Sequence, residues 1–151
     1  MKILNEPKAI RLKIMDFLSR REHSSKEIFR KMSHRVEFKE MLEDSIEQLI
    51  QDGLISNERF AESYFQSRKN RGYGPLRIKN ELKQKGVNEG LFNTIQEGTD
   101  WPSYALKALE KKINGKYPDG MKEVLKLKNF LNYRGFNFQD INKAFSMLER
   151  E

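Results

Sequence analysis

The chain has 151 residues, of which 37% are hydrophobic and 34% charged, and its formal net charge is +7 with no cysteine. That length holds one modest domain or a tandem of small units, and the thin apolar fraction suits several small units leaning on one another. Disulfides, thiolate zinc sites and cysteine nucleophiles are excluded, no window approaches the roughly 20 apolar residues of a membrane span, and the positive charge favours nucleic acid first and an acidic protein second.

Helical spacing dominates and strand-like alternation is nearly absent. From Pro7 onward, Ile10, Ile14, Phe17 and Leu18 form one stripe. Ser24 precedes Glu27 by three, a capping-box signature that opens a second helix with Ile28, Phe29 and Met32 inside. After a polar break at Ser33-His34-Arg35, Leu42, Ile46, Leu49 and Ile50 predict a third, acidic helix closed by Gly53. Ser56 or Asn57 can cap the next, whose inner face carries Phe60, Ala61, Tyr64 and Phe65.

The stretch Arg68–Gly86 follows, with seven basic side chains (Arg68, Lys69, Arg71, Arg77, Lys79, Lys83, Lys85) against the single acid Glu81. Gly72-Tyr73-Gly74-Pro75 in its middle breaks one helix and begins another, with Gly74 as N-cap and Pro75 preset for the first helical position. Tyr73 either stacks on a nucleic-acid base or packs beneath the turn. Asn88 caps a short helix with Leu91, Phe92 and Ile95, ended by Gly98. Asp100-Trp101-Pro102 starts a helix with Ala105, Ala108, Leu109 and Ile113 buried, stopped by Asn114-Gly115. The turn Pro118-Asp119-Gly120 leads into Val124, Leu127 and Leu131, closed by Gly135. Asn137 caps a last helix with Ile141, Ala144, Phe145 and Leu148 inward. Most of the phenylalanines, Phe130 and Phe138 among them, are expected in the core, and Trp101 is read as a packing residue.

Ile78-Lys79-Asn80-x-Leu82-x-x-Lys85-Gly86 returns 49 positions later, from 78 to 127, as Leu127-Lys128-Asn129-x-Leu131-x-x-Arg134-Gly135. With a fainter echo at Glu27-Ile28-x-x-Lys31, this predicts an all-α fold of three tandem three-helix, helix–turn–helix-like repeats in an elongated, curved molecule. The boundaries expected are 1–54, 55–99 (carrying the central basic motif) and 100–151. Charge is unevenly spread: Lys8 to Arg35 has nine bases and three acids, whereas Glu37 to Glu62 has eight acids and two bases. Basic side chains dominate again from Lys107 to Lys128.

Catalysis finds little support. There is no P-loop, no G-x-G-x-x-G, no H-E-x-x-H and no nucleophile-elbow serine. His23 and His34 match no familiar metal spacing and are read as exposed or capping residues. No cofactor, metal or membrane contact is expected.

Arg59-Phe60-Ala61, then Arg68, then Arg71-Gly72-Tyr73-Gly74-Pro75-x-Arg77-Ile78-x-x-Glu81-Leu82-x-x-Lys85-Gly86 resembles the signature of the RecX family of bacterial recombination regulators. The resemblance extends to Arg20 through Lys31 and to Phe130-Leu131-x-Tyr133-Arg134-Gly135-Phe136, so it covers nearly the whole chain. Ser56-Asn57 departs from the acidic residues common in the family before Arg-Phe-Ala, which touches only the local helix cap. The resemblance implies three three-helix units and a non-enzymatic, cytoplasmic modulator of the RecA recombinase in DNA repair, homologous recombination and the SOS response. Family members bind the RecA–single-stranded DNA filament along its groove. They block its extension, promote disassembly and suppress ATP hydrolysis, strand exchange and co-protease activity.

The partners expected are therefore the RecA filament and single-stranded DNA, with duplex DNA left open, and the chain is expected to be a monomer. Arg68, Lys69, Arg71, Tyr73, Arg77, Lys79, Lys83 and Lys85 are the expected contacts, joined by Lys126, Lys128 and Arg134. Two other readings stand beside this one. A helix–turn–helix transcription regulator is disfavoured by the scarcity of Asn and Gln placed to read base edges. A purely protein-binding adaptor would show no salt-dependent affinity for DNA.

Overall fold

The computed structural model describes residues 2–149, with Glu149 described in its backbone alone, and among these the regular structure is entirely helical. The helices are α1 (Pro7–Arg20), α2 (Ser25–Met32), α3 (Lys39–Gln51), α4 (Asn57–Asn70), α5 (Pro75–Gln84), α6 (Glu89–Gln96), α7 (Trp101–Ile113), α8 (Gly120–Tyr133) and α9 (Phe138–Glu149). Their starts follow side-chain chemistry. Ser24 and Glu27 close the reciprocal capping box of α2, worth about 1 kcal/mol. Ser56 Oγ, Asn88 Oδ1, Asp100 and Asn137 Oδ1 each accept the backbone N–H three residues on. Pro7 and Pro75 stand at first helical positions, where the missing N–H leaves nothing unsatisfied. The chain packs as two units: Met1–Ser63 with Leu82–Leu91, and Tyr64–Glu81 with Phe92–Glu151.

The first unit is built on Ile10 and Ile14 of α1, Ile28 and Met32 of α2, and Leu42, Ile46 and Leu49 of α3, with Val36 and Ile55 closing the cluster. Leu4 makes an isolated parallel bridge with Val36, its N–H donating to the Arg35 carbonyl at 2.8 Å and its carbonyl accepting from Glu37 at 2.9 Å. Nothing in the sequence pattern signalled that pairing, because a single bridge leaves no alternation to read. Ile50, expected inward, is instead 39% exposed, since Leu42, Ile46 and Leu49 already occupy the face that packs on α1 and α2.

A polar cluster at the start of α2 departs further from the expectation. His23 is buried rather than exposed or capping. Its Nδ1 lies 3.0 Å from the Arg21 carbonyl and its Nε2 lies 2.9 Å from Lys31 Nζ, so the neutral ring donates at one end and accepts at the other. Burial, with the nearby charges of Arg21 and Lys31, lowers the His23 pKa against the opposing bond to the Arg21 carbonyl. Next to it, the buried Glu27 accepts two bonds from Arg21 at 3.1 Å and one from Lys85 at 3.3 Å. Burial opposes ionisation of Glu27, but the Arg21 and Ser24 hydrogen bonds and the charges of Arg21 and Lys85 outweigh it and lower its pKa.

Both shifts make acid destabilising. With a folded pKa below the ordinary value near 6.5, the unfolded state binds the histidine proton first, and stability falls as pH drops from that point. The Glu27 contribution is present above its unfolded pKa of about 4.5 and disappears only as pH falls through its lower folded value. The melting temperature is therefore expected to fall between pH 7.5 and 5.5, and His23→Gln should flatten that limb. An unchanged limb in the variant would assign the loss to other groups.

The second unit is centred on aromatic edges. Phe65 of α4 meets Trp101 of α7 edge-on at 5.7 Å and Phe92 of α6 at 6.1 Å, while Trp101 meets Phe136 at 6.4 Å. Ala105 and Leu109 of α7, Leu131 of α8, and Ile141, Ala144, Phe145 and Leu148 of α9 complete the core. Within this unit, α7 and α9 make the most extensive helix–helix packing. Phe138, expected in the core, is instead 66% exposed. Its spacing places it on the α9 stripe, but it lies in the first turn, where no other element covers it.

Two glycine turns of this unit meet backbone to backbone. The Gly74 N–H donates to the Arg134 carbonyl at 2.8 Å, and the Leu76 N–H donates to the Gly135 carbonyl at 3.0 Å. A Cβ on Gly74 would lie 2.4 Å from the Gly135 carbonyl carbon, and one on Gly135 would lie 2.4 Å from Arg77 Cβ. The glycines thus do more than break helices: they let the turn between α4 and α5 seat on the turn between α8 and α9.

Candidate polyanion-binding surface

That contact gathers arginines around one ring. Tyr73, half-buried, has the guanidinium carbons of Arg68, Arg77 and Arg134 at 3.8, 4.6 and 4.7 Å from its centroid. Arg68 leaves α4 near its end, Arg77 leaves the first turn of α5, and Arg134 follows α8, so no single helix could assemble the group. Glu81 is the counter-ion. It accepts from Arg68 at 2.9 and 2.8 Å in a two-pronged pair, from the Tyr64 hydroxyl at 3.0 Å and from Arg77 at 3.4 Å. Burial pushes the Glu81 carboxyl towards protonation, but the bonds from Arg68, Tyr64 and Arg77 outweigh it and lower its pKa. One carboxylate facing three guanidiniums leaves a net positive surface. Tyr73 is occupied by arginines on the ring itself, so a base would stack there only by displacing one. The open aromatic is its neighbour Tyr133, 75% exposed, with Arg77 lying 5.3 Å from its ring.

Beside this group lies a cleft of about 480 Å³ lined by Lys69, Arg71, Gly72, Tyr104, Lys107, Lys111, Lys112, Phe130 and Arg134, among others. Lys69 is 8% exposed, its ammonium 4.9 Å from the rings of both Phe65 and Tyr104. Arg134 donates to the Arg71 carbonyl at 3.3 Å and lies 4.9 Å from the Phe130 ring. Phe130, expected in the core, is only half-buried and forms part of the cleft wall.

The candidate contacts therefore distribute as follows. Arg68, Tyr73, Arg77 and Arg134 converge on one group, and Lys69 and Arg71 line the adjoining cleft. Lys126 is exposed on α8, whereas the Lys128 ammonium lies over the Phe145 ring at 5.6 Å. Lys79 belongs to the second unit, and Lys83 and Lys85 belong to the first, where Lys85 bonds Glu27. The charge run starting at Lys107 was visible in the sequence, but Lys107, Lys111 and Lys112 were not singled out. Only their fold places them opposite Phe130 and Arg134.

An all-helical fold with glycine-locked turns and a cation-rich, aromatic-lined face defines a tandem three-helix protein. Residues 56–93 match the model of the second three-helix domain of RecX, and residues 103–145 match that of its third. The protein named Regulatory protein RecX from Pseudomonas entomophila is 35% identical over 146 residues, spanning 95% of this chain and 94% of that one. Its namesake from Pseudomonas putida is 36% identical over the same shares of each chain. The chain belongs to the RecX family of regulatory proteins. The crystal structure of RecX from Lactobacillus salivarius shares the fold, with a TM-score of 0.79 at 23% identity over 96% of this chain and 97% of that one. No described helix is long and apolar enough to cross a membrane.

Proposed function

We propose that this chain is a cytoplasmic, non-enzymatic regulator that binds the RecA–single-stranded DNA filament and restrains its ATP hydrolysis, extension and strand exchange. Membership of the RecX family supports the partner. The observation that carries the binding mode is the Tyr73-centred group, in which three guanidiniums gather on one ring, two of them paired with the single carboxylate of Glu81, beside an exposed Tyr133. Such a surface attracts phosphates and acidic protein alike, and arginine held on aromatic rings loses little freedom on binding. Lys83 and Lys126, both exposed, add charge that supplies attraction at longer range.

The decisive experiment follows ATP hydrolysis by RecA on single-stranded DNA as the chain is added below one copy per RecA monomer. Lys83→Gln combined with Lys126→Gln is expected to weaken inhibition about fivefold, as for one or two lost charge contacts, with the melting temperature kept within a few degrees. Full inhibition by a folded double variant would remove these lysines from the interface. No inhibition by the unaltered chain would remove RecA as the partner.

A further inference from the structure

We infer that the cleft walled by the end of α4, α7 and α8 is a binding site for paired phosphoryl groups, with the α7 lysines as its principal ligands. The inference stands apart from any contact with RecA. Four lysines and two arginines (Lys69, Arg71, Lys107, Lys111, Lys112, Arg134) line the cleft, and among the described residues no acidic one does. Among the described residues, no carboxylate lies within ion-pair distance of Lys69, Lys107, Lys111 or Lys112. This contrasts with the pairs Arg68–Glu81, Arg59–Glu22 and Lys85–Glu27 elsewhere in the chain. Cations converging in a concave, partly desolvated space repel one another, and an anion entering it relieves that repulsion.

Aromatic walls hold three of these charges, while Lys107 and Lys111 stand exposed at the cleft. Lys69 sits between Phe65 and Tyr104, and Lys112 and Arg134 both lie 4.9 Å from the Phe130 ring. Gly72, at φ +92°, lacks the Cβ that would touch Arg134 Nη1 at 3.4 Å and Ala108 Cβ at 3.5 Å, so the turn closes one end without filling it. Lys107 and Lys111 are one helical turn apart, which separates them by about 6 Å along the axis. That matches successive phosphates of an extended single strand better than the shorter spacing within a polyphosphate. The volume of about 480 Å³ takes a nucleotide-sized group.

The test uses the full chain without RecA, with a fluorescent oligothymidylate as the strand probe and inorganic pyrophosphate as competitor. Lys107→Gln with Lys111→Gln removes the exposed pair from α7. Lys39→Gln with Lys143→Gln removes the same charge outside the cleft. The cleft pair is expected to lose about tenfold in affinity and to flatten the salt slope by about one to two, while the control pair changes less than threefold. Competition by pyrophosphate would show that the site also takes free phosphoryl groups. Its failure, with the cleft-specific loss intact, would assign the site to strand phosphodiesters, and both results support the site. Equal losses in the two double variants, or wild-type binding in the cleft variant, would overturn it.

Discussion

Gly135→Ala is expected to lower the unfolding free energy by about 3–5 kcal/mol and the melting temperature by about 10 °C. Two effects add. Gly135 sits at φ +102°, where an L side chain is strained by about 1–2 kcal/mol. Its new Cβ would also lie 2.4 Å from Arg77 Cβ and 2.7 Å from the Arg77 backbone nitrogen, so the neighbour cannot simply rotate away. Relief requires the turn after α8 to lift off the first turn of α5, breaking the bonds from Gly74 and Leu76. Gly74→Ala should act through the same contact, because its Cβ would meet the backbone of Gly135 and Phe136. Gly98 is the control: at φ +79° with nothing within 4 Å, it should cost only the backbone strain. Denaturant unfolding of the three variants checks the prediction, and equal losses at Gly98 and Gly135 would show that the close approach carries no weight. Loss of the contact should also scatter Arg77 and Arg134 from Tyr73 and weaken binding to any anionic partner.

Glu81→Ala has the second largest expected effect, about 2–3 kcal/mol. The side chains of Arg68 and Glu81 are 17% and 23% exposed, and removing the carboxylate leaves Arg68 facing Arg77 and Arg134 across Tyr73 with no counter-ion. Breaking one partner of a well-buried pair costs about 3–5 kcal/mol, and the partial exposure here reduces that. Glu81→Gln keeps acceptors for Arg68 and Tyr64 and should lose about half as much. The discriminating measurement is a double-mutant cycle with Arg68→Ala, expected to give a coupling of about 1.5–2 kcal/mol. A coupling near zero would mean that the pair is no better than a surface ion pair. Added phosphate should raise the melting temperature of Glu81→Ala more than that of the unaltered chain, because it supplies the missing negative charge.

Much of the helical framework is local and so can be read directly. Every helix start marked by Ser24, Ser56, Asn88, Asp100 or Asn137 is set by a side chain reaching its own backbone three residues away. The stripes Ile10-Ile14, Leu42-Ile46-Leu49 and Ile141-Ala144-Phe145-Leu148 are buried because their spacing leaves one face to bury. Reading failed where burial depends on what covers a position: Ile50 and Phe138 have core spacing and lie open, while His23 is polar and lies inside. The basic motif was legible as charge, but not as structure. Arg68 and Arg77 were read as outward contacts, and both are also tied down by Glu81, a residue the charge count treated only as a minority acid.

What the sequence determines by itself is the identity of each helix, its ends, its apolar face and the family signature, since these rest on interactions within a few residues. What only the tertiary structure decides is which charges meet. Arg134 reaches Tyr73 from 61 positions away because two glycines remove the side chains that would hold the turns apart, and α7 brings its lysines to the same place. Charge acts over distances that chain order does not encode, so the sequence supplies the cations and the fold makes a surface of them.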